Sequence, residues 1–325
     1  MNNQSNNFEQ STPITPPSEG HGGGCRIYIA GCGGMLGEAF YKQFSAEYIL
    51  KCTDKDVNVD WLSFLDFRDF NAYREDVFNF NPDYLFHLGA YTDLEFCEQN
   101  ADETYLTNTL AVENAVYLAN QLNIPILYIS TAGIFDGNKP LYDDWDTPNP
   151  LGVYARSKYM GERFVIENAN RYLVCRAGWM MGAGPQKDKK FIQKLMQQLK
   201  DGKKELFIVN DKDGTPTYTH DFARTVKSLI EKEYWGLYNC VCSGQTSRFE
   251  VAQELLRITM LHDQVKITPV SSDYFKATYF ADRPASERLS TRKLDLRGIN
   301  NMRPWENALH EYITTYYSGY LDSAP

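Results

Sequence analysis

Short apolar runs alternating with longer segments of helical spacing are the first regularity along the chain. Cys25–Ala30 is a brief apolar run that meets a glycine cluster at once and then Met35–Phe44, whose apolar positions recur at helical intervals. The same alternation continues with Tyr48–Cys52 as a strand, Phe70–Phe80 as a helix and Tyr84–Leu88 as a strand. Thr104–Leu122 then predicts one long helix, Ile126–Ile129 a strand, Tyr154–Asn168 a helix beyond Pro150, and Tyr172–Cys175 a strand. Strands joined through helices need right-handed crossovers, which predicts an α/β fold with a doubly wound parallel sheet of the Rossmann type.

Beyond about Gly184 the alternation becomes irregular, with helices predicted over Phe191–Leu199, His220–Glu231, Arg248–Met260 and Trp305–Tyr317 and short strands between them. The expected organisation is a dinucleotide-binding domain over 25–184 followed by a smaller C-terminal α/β substrate domain over 185–325, from which some segments return to the first. Residues 1–24 hold only Met1, Phe8 and Ile14 as large apolar side chains, too little buried surface to offset the entropy of ordering, and predict a flexible tail with no catalytic part.

Composition narrows the function. Hydrophobic residues make up 43% and charged residues 23%, which is globular. With 33 Lys and Arg against 42 Asp and Glu the formal charge is -9, the wrong sign for a phosphate-backbone binder, so nucleic acid is not an expected partner. No apolar run approaches the length of a membrane span, and the first residues lack the basic and apolar regions of an export signal. Seven scattered cysteines do not form a disulfide framework, and a reducing cytoplasm is the expected location. Cys240 and Cys242 read as alternate residues of a strand rather than as metal ligands, since no His or Cys cluster stands beside them in sequence.

Gly31, Gly33, Gly34, Met35, Leu36 and Gly37 fall in the turn between the first strand and helix. Backbone amides there can approach a pyrophosphate, and the helix N-terminus adds positive partial charge. The spacing departs from G-x-G-x-x-G because position 36 is Leu, so it is the strand–turn–helix context that points to a dinucleotide. Asp54 closes the second strand, where a carboxylate accepts adenine-ribose hydroxyls and repels the extra phosphate of NADP; Lys51 and Lys55 flank it and soften that preference. Asp66 and Phe67, after the third strand, stand where an adenine contact could form.

Tyr154 and Lys158 are four residues apart and therefore neighbours on one helix face. A nearby cation favours the phenolate, so Lys158 is expected to pull the Tyr154 pKa down from near 10 and to hold the cofactor ribose. Ser130-Thr131 closes the strand that starts at Ile126, at the carboxyl edge of the sheet, where a hydroxyl can bond a substrate carbonyl.

With these elements in this order, the chain resembles the extended short-chain dehydrogenase/reductases, and within them the dTDP-4-dehydrorhamnose reductases. The likeness is carried by Gly89-Ala90-Tyr91-Thr92, Ser130-Thr131 with Ile134-Phe135-Asp136-Gly137, Pro148-Asn149-Pro150-Leu151, Val153-Tyr154 and Gly161-Glu162. It continues through Asp213-Gly214-Thr215-Pro216-Thr217-Tyr218-Thr219, Asp221-Phe222-Ala223, Arg283-Pro284 and Leu289-Ser290, and covers about residues 25–316. The resemblance implies Thr131, Tyr154 and Lys158 as catalytic residues and NADH or NADPH as cofactor. It implies cofactor contacts from Gly89, Ala90 and Tyr91 as well as the glycine loop, and substrate contacts from Thr92, Thr131, Trp179 and Arg283, the last facing a nucleotide-sugar diphosphate. Asn108 matches an Asn common in the wider family.

One departure stands out: where those reductases often carry Asp-Tyr after the catalytic Thr, this chain has Ala132-Gly133, which removes a carboxylate and an aromatic ring from the site wall. It also lacks the Asp-Glu pair that related dehydratases use for elimination. The expected reaction is reduction of a nucleotide-linked 4-keto-6-deoxyhexose in deoxysugar biosynthesis by a protein that could form a homodimer. The alternatives are a nucleotide-sugar epimerase and a non-catalytic subunit like the regulatory subunit of methionine adenosyltransferase.

Overall fold

The computed structural model describes residues 24–322, so the tail expected over 1–24 lies almost wholly outside the described residues. Seven parallel strands form the central sheet: β1 (Arg26–Ala30), β2 (Ile49–Asp54), β3 (Leu62–Phe64), β4 (Tyr84–His87), β5 (Ile126–Thr131), β6 (Tyr172–Ala177) and an edge strand, Gly236–Asn239. Their spatial order is β3-β2-β1-β4-β5-β6 and then Gly236–Asn239, so the chain reverses its winding between β1 and β4. This is the doubly wound Rossmann-type arrangement.

Helices cover both faces, which explains why the central strands read as nearly continuous apolar runs. Alternation still sorts them: Ile27 and Ile29 pack with Phe40, Phe44 and Phe86 on one face, while Tyr28 and Ala30 pack with Leu85, Val112 and Ala115 on the other. The remaining chain adds two short parallel strands, Glu205–Val209 and Lys266–Val270, and the helices Phe191–Lys200 and Arg248–Ile258.

Several boundaries differ from the sequence expectation. The first helix begins at Gly37 rather than Met35, because Gly34 to Leu36 are used in the turn that Gly37 N–H closes on the Gly34 carbonyl at 3.1 Å. Strand β5 runs on to Thr131, which pairs with Ala177. The single long helix expected over Thr104–Leu122 is broken into Ala101–Tyr105, a π-helical turn Leu106–Leu110 and Ala111–Gln121. The cause lies outside the helix: Asn108, in the wide turn, is drawn toward the loop after β4. Cys240 and Cys242 lie just past the edge strand instead of within it, as buried thiols.

One charged pair is enclosed by this packing. Arg176 on β6 donates to both oxygens of Glu162 at 3.0 and 2.6 Å, with the side chains 4% and 2% exposed. Removing one partner of such a pair strands the other charge. Glu162→Ala is expected to cost about 3–5 kcal/mol of stability, read as a lower urea midpoint with an unchanged m-value. Glu162→Leu combined with Arg176→Leu should recover most of that loss.

Candidate active site

The reversal between β1 and β4 opens a crevice at the carboxyl edge, and the loops after these two strands form its walls. Gly31 has φ +75°, and a side chain there would collide with the backbone of Gly89. The Gly31 and Cys32 amides both donate to the Thr53 carbonyl at 2.9 Å, fastening the loop to β2. The Gly33 amide donates to Asp54 Oδ2 at 2.9 Å, and a Cβ on Gly33 would lie 2.7 Å from the Asp54 carboxyl carbon. At Gly37 a Cβ would strike the Cys32 carbonyl. Gly34 is different: its nearest neighbour is the Gly31 carbonyl at 3.9 Å, so it leaves the start of the first helix open. No side chain caps that helix, and its free N–H groups with an unobstructed approach suit a pyrophosphate. Glycine at every third position, 31, 34 and 37, is therefore a regularity the G-x-G-x-x-G comparison overlooked.

At the end of the crevice beside β2, Asp54 accepts from Gly33 and from the Asp56 amide at 3.0 Å, which orients its carboxylate. Lys51 does not soften the charge there as expected: it points to Asp76 at 2.5 Å. Lys55 does face this end, with its ammonium 5.2 Å from the centre of the Tyr91 ring. The Asp66 carboxylate is already engaged by the Arg68 guanidinium at 2.5 Å, which holds it below its ordinary pKa. Arg68, absent from the sequence expectation, also bonds Glu103 at 2.8 Å and reaches the Tyr91 hydroxyl at 3.2 Å. Phe67 packs directly beneath Gly89.

Thr131 ends β5, and Tyr154 and Lys158 lie in the first two turns of helix Val153–Asn168. Gly152 precedes that helix and has no side chain to cap it; Glu98 reaches in from another helix and accepts from the Val153 amide at 2.6 Å. Asn108 clamps the two walls together. Its Oδ1 accepts from the Tyr91 amide at 2.8 Å, and its Nδ2 donates to the Tyr91 carbonyl at 2.9 Å and to Ser157 Oγ at 3.1 Å. The Ala90–Tyr91 segment is thus held at a set distance from the helix that carries Tyr154 and Lys158.

Burial inverts the expected electrostatics. The Tyr154 phenol is pushed up to about 12 by desolvation, with a hydrogen bond from Thr131 opposing and the Glu287 charge adding to the rise. Lys158 is 3% exposed and desolvation lowers it to about 7, with Glu162 opposing. Its ammonium lies 4.2 Å from the centre of the Tyr128 ring. The expectation that Lys158 depresses the Tyr154 pKa is not met: burial raises the phenol, and the influence opposing it is the Thr131 hydrogen bond rather than the lysine. A phenol that stays protonated at neutral pH is nevertheless equipped to donate a proton.

Beyond these residues the cleft broadens toward Thr92, Trp179 and Arg283, and its volume of about 1560 Å³ exceeds that of a typical single-ligand pocket. Lys190 donates to the Thr92 carbonyl at 2.7 Å and to its hydroxyl at 3.0 Å. Arg283 bonds Glu95 at 2.8 Å, and Lys212 donates to the Arg283 carbonyl at 2.9 Å. The Arg248 guanidinium lies 4.3 Å from the centre of the Trp179 ring, and burial lowers its pKa to about 10. Lys190, Lys212, Arg248 and Glu287 escaped the sequence reading, since nothing local marks them. Lys190, Lys212, Arg248 and Arg283 thus bring four cationic side chains to one end of a cleft in a protein of net charge -9.

Comparison with known proteins agrees with this geometry. The model of the RmlD substrate binding domain family matches residues 25–318. The spore coat polysaccharide biosynthesis protein SpsK of Bacillus subtilis (strain 168) is 28% identical over 292 residues, covering 89% of this chain and 96% of that protein. The dTDP-4-dehydrorhamnose reductase of Mycobacterium tuberculosis (strain CDC 1551 / Oshkosh) is 29% identical over 291 residues, covering 87% of this chain and 91% of that enzyme. Among solved structures, the dTDP-4-dehydrorhamnose reductase of Bacillus anthracis in complex with NADP superimposes with a TM-score of 0.81 at 29% identity, covering 90% of this chain and 99% of that one.

The Lys158 environment has a measurable pH signature. Below pH 7 the lysine is charged in both folded and unfolded states; above it the folded protein releases the proton while the unfolded chain keeps it up to about 10.5. The unfolded state then binds more protons, so this group's contribution to stability rises from pH 7 upward. The melting temperature of the wild type relative to Lys158→Met is expected to increase between pH 6.5 and 9. A constant difference would show that Lys158 stays charged in the fold.

Proposed function

Because the chain belongs to the RmlD substrate binding domain family, we propose that it reduces the 4-keto group of a nucleotide-linked 4-keto-6-deoxyhexose with NADH or NADPH, in deoxysugar biosynthesis. The observation that carries the reading is the convergence of Thr131, Tyr154 and Lys158 at one point of a cleft whose far end is lined by Lys190, Lys212, Arg248 and Arg283. The first set suits carbonyl reduction and the second a diphosphate. The glycine loop and the open start of the first helix fit a dinucleotide pyrophosphate, and Asp54 the adenine ribose.

The nicotinamide, when bound, supplies the hydride that reaches the ketone carbon. Tyr154 donates the proton to the resulting alkoxide, and the Thr131 hydroxyl bonds the same oxygen as charge develops on it. Lys158 holds the ribose hydroxyls and, once a ligand covers it, is stabilised in the charged form that steadies a transient phenolate. Ketone, hydride and proton balance to one secondary alcohol and the oxidised cofactor. Trp179 supports the sugar, while Arg283 and its neighbouring cations face the diphosphate.

Among the described residues no helix is long and apolar enough to cross a membrane. The seven cysteines are unpaired thiols, which suits a cytoplasmic site of action. A second copy of the chain is the partner we assign to the face formed by Leu106, Leu110, Tyr117 and Met160, which are 38–53% exposed on the π-helical turn, the helix Ala111–Gln121 that continues it and the neighbouring helix Val153–Asn168.

Three measurements check this reading. The protein should oxidise reduced nicotinamide only when a nucleotide 4-keto-6-deoxy sugar is present, and Tyr154→Phe should lower turnover by about 10²- to 10⁴-fold with cofactor affinity little changed. Turnover without net cofactor consumption would identify an epimerase. Cofactor binding with no turnover across a broad panel would favour the regulatory-subunit alternative. Sedimentation equilibrium should give a dimer for the wild type and a monomer for Leu110→Glu with Met160→Glu.

A further inference from the structure

The wall beside the catalytic Thr carries no side chain of its own at Gly133, yet the space there is not vacant. A Cβ on Gly133 would lie 3.2 Å from Glu287 Oε1, 3.5 Å from Thr131 Oγ1 and 3.7 Å from Tyr154 Cε1. A carboxylate from a distant segment thus shares one small volume with the hydroxyl and the ring that bracket the reacting carbonyl.

Its position is built rather than incidental. Glu287 Oε2 accepts from the Trp179 indole N–H at 2.7 Å. The Trp179 ring is fixed in turn, with the Arg248 guanidinium 4.3 Å from its centre on one side and the backbone of Gly214 pressed against it, where any Cβ would collide with the indole. Glu287 ends the short strand Ser286–Glu287, which pairs with Asp213–Gly214. The preceding residue is anchored by its hydroxyl, which donates to the Pro140 carbonyl at 3.0 Å. Among the described residues Oε1 receives no hydrogen bond, while Oε2 is satisfied. Beside it a side cavity of about 40 Å³, lined by Gly133, Tyr154 and Glu287 among others, has room for one small polar group.

A half-buried acceptor with one oxygen left over loses less by being covered when a ligand donates to it. We propose that Glu287 is a specificity-determining residue that accepts a hydrogen bond from the hydroxyl on the sugar carbon next to the ketone, selecting substrates that keep this hydroxyl over 3-deoxy sugars. The inference rests on the ketoreductase reading: with the ketone oxygen between Thr131 and Tyr154, the substituent within reach of the Gly133 wall is the one on the adjacent ring carbon. A Tyr or Asp side chain in that wall is dispensable here because Glu287 supplies the polar contact from another element.

The test compares kcat/KM for a dTDP-linked 4-keto-6-deoxyhexose carrying the 3-hydroxyl with that for its 3-deoxy counterpart, in the wild type and in the near-isosteric Glu287→Gln. The wild type is expected to favour the hydroxylated sugar at least tenfold. Loss of the charge-assisted hydrogen bond should erode that ratio by about 10- to 10²-fold, any effect of the lost charge on Tyr154 cancelling because both sugars share it, with NADPH affinity and melting temperature unchanged. Trp179→Phe, which keeps a ring but deletes the N–H that aims Glu287, should erode it partway. Equal use of both sugars by the wild type, or an undiminished ratio in Glu287→Gln, overturns the role of Glu287 and leaves the ketoreductase reading standing. Failure of the wild type to reduce either sugar overturns both.

Discussion

Burial of an ammonium group next to a phenol is the constraint around which the site is arranged. Lys158 is all but enclosed, with a cation–aromatic contact to Tyr128 and the Glu162 carboxylate one turn further along the helix. Glu162 cannot be isolated in turn; it is gripped by Arg176, whose guanidinium also lies 5.2 Å from the centre of the Phe135 ring. A chain of buried charges therefore runs from the cleft into the sheet, each member tolerable because the next one is present. The same desolvation keeps Tyr154 protonated, which is the state a proton donor needs before reaction.

This arrangement works only if the walls of the cleft hold their separation. The wall from β1 is set by close backbone approach, since Gly31 touches Gly89 and Gly37 touches Cys32 with no space for a Cβ at either place. The wall from β4 is set by polar contacts. Asn108 satisfies both the amide and the carbonyl of Tyr91 and also bonds Ser157 on the helix that carries Tyr154, at the cost of regular α-helical geometry over Leu106–Leu110. Glu98 then fixes the start of that helix. The rigid parts are thus backbone contacts on the side of the glycine loop and a side-chain clamp on the side of Tyr154.

The substrate end follows a different logic, because it is assembled from segments remote in sequence. Trp179 follows β6, Arg248 begins a helix, and Glu287 and Arg283 come from the segment after Val270. Arg248 lies over the face of the indole ring and Glu287 accepts from its N–H, so changing one alters the surroundings of the other. Such a wall can be rebuilt by exchanging which element supplies a polar group, as the pairing of Gly133 with Glu287 illustrates, while the strand and helix that hold Thr131 and Tyr154 stay where they are.

Sequence alone determined the features that depend on neighbours in the chain. Apolar runs of strand length alternating with helical spacing specified the parallel sheet. Asp54 and Thr131 could be placed at strand ends, and Tyr154 with Lys158 on one helix face, because strand direction and a four-residue helical spacing are local properties. Tertiary structure decided the rest. The break at Asn108, the capture of Asp66 by Arg68, the turning of Lys51 toward Asp76 and the arrival of Glu287 beside Gly133 all depend on partners brought in by folding. So does the direction of the Tyr154 shift: the four-residue spacing to Lys158 can be read from sequence, but desolvation, which is set by how completely other elements exclude water, is the cause that decides it.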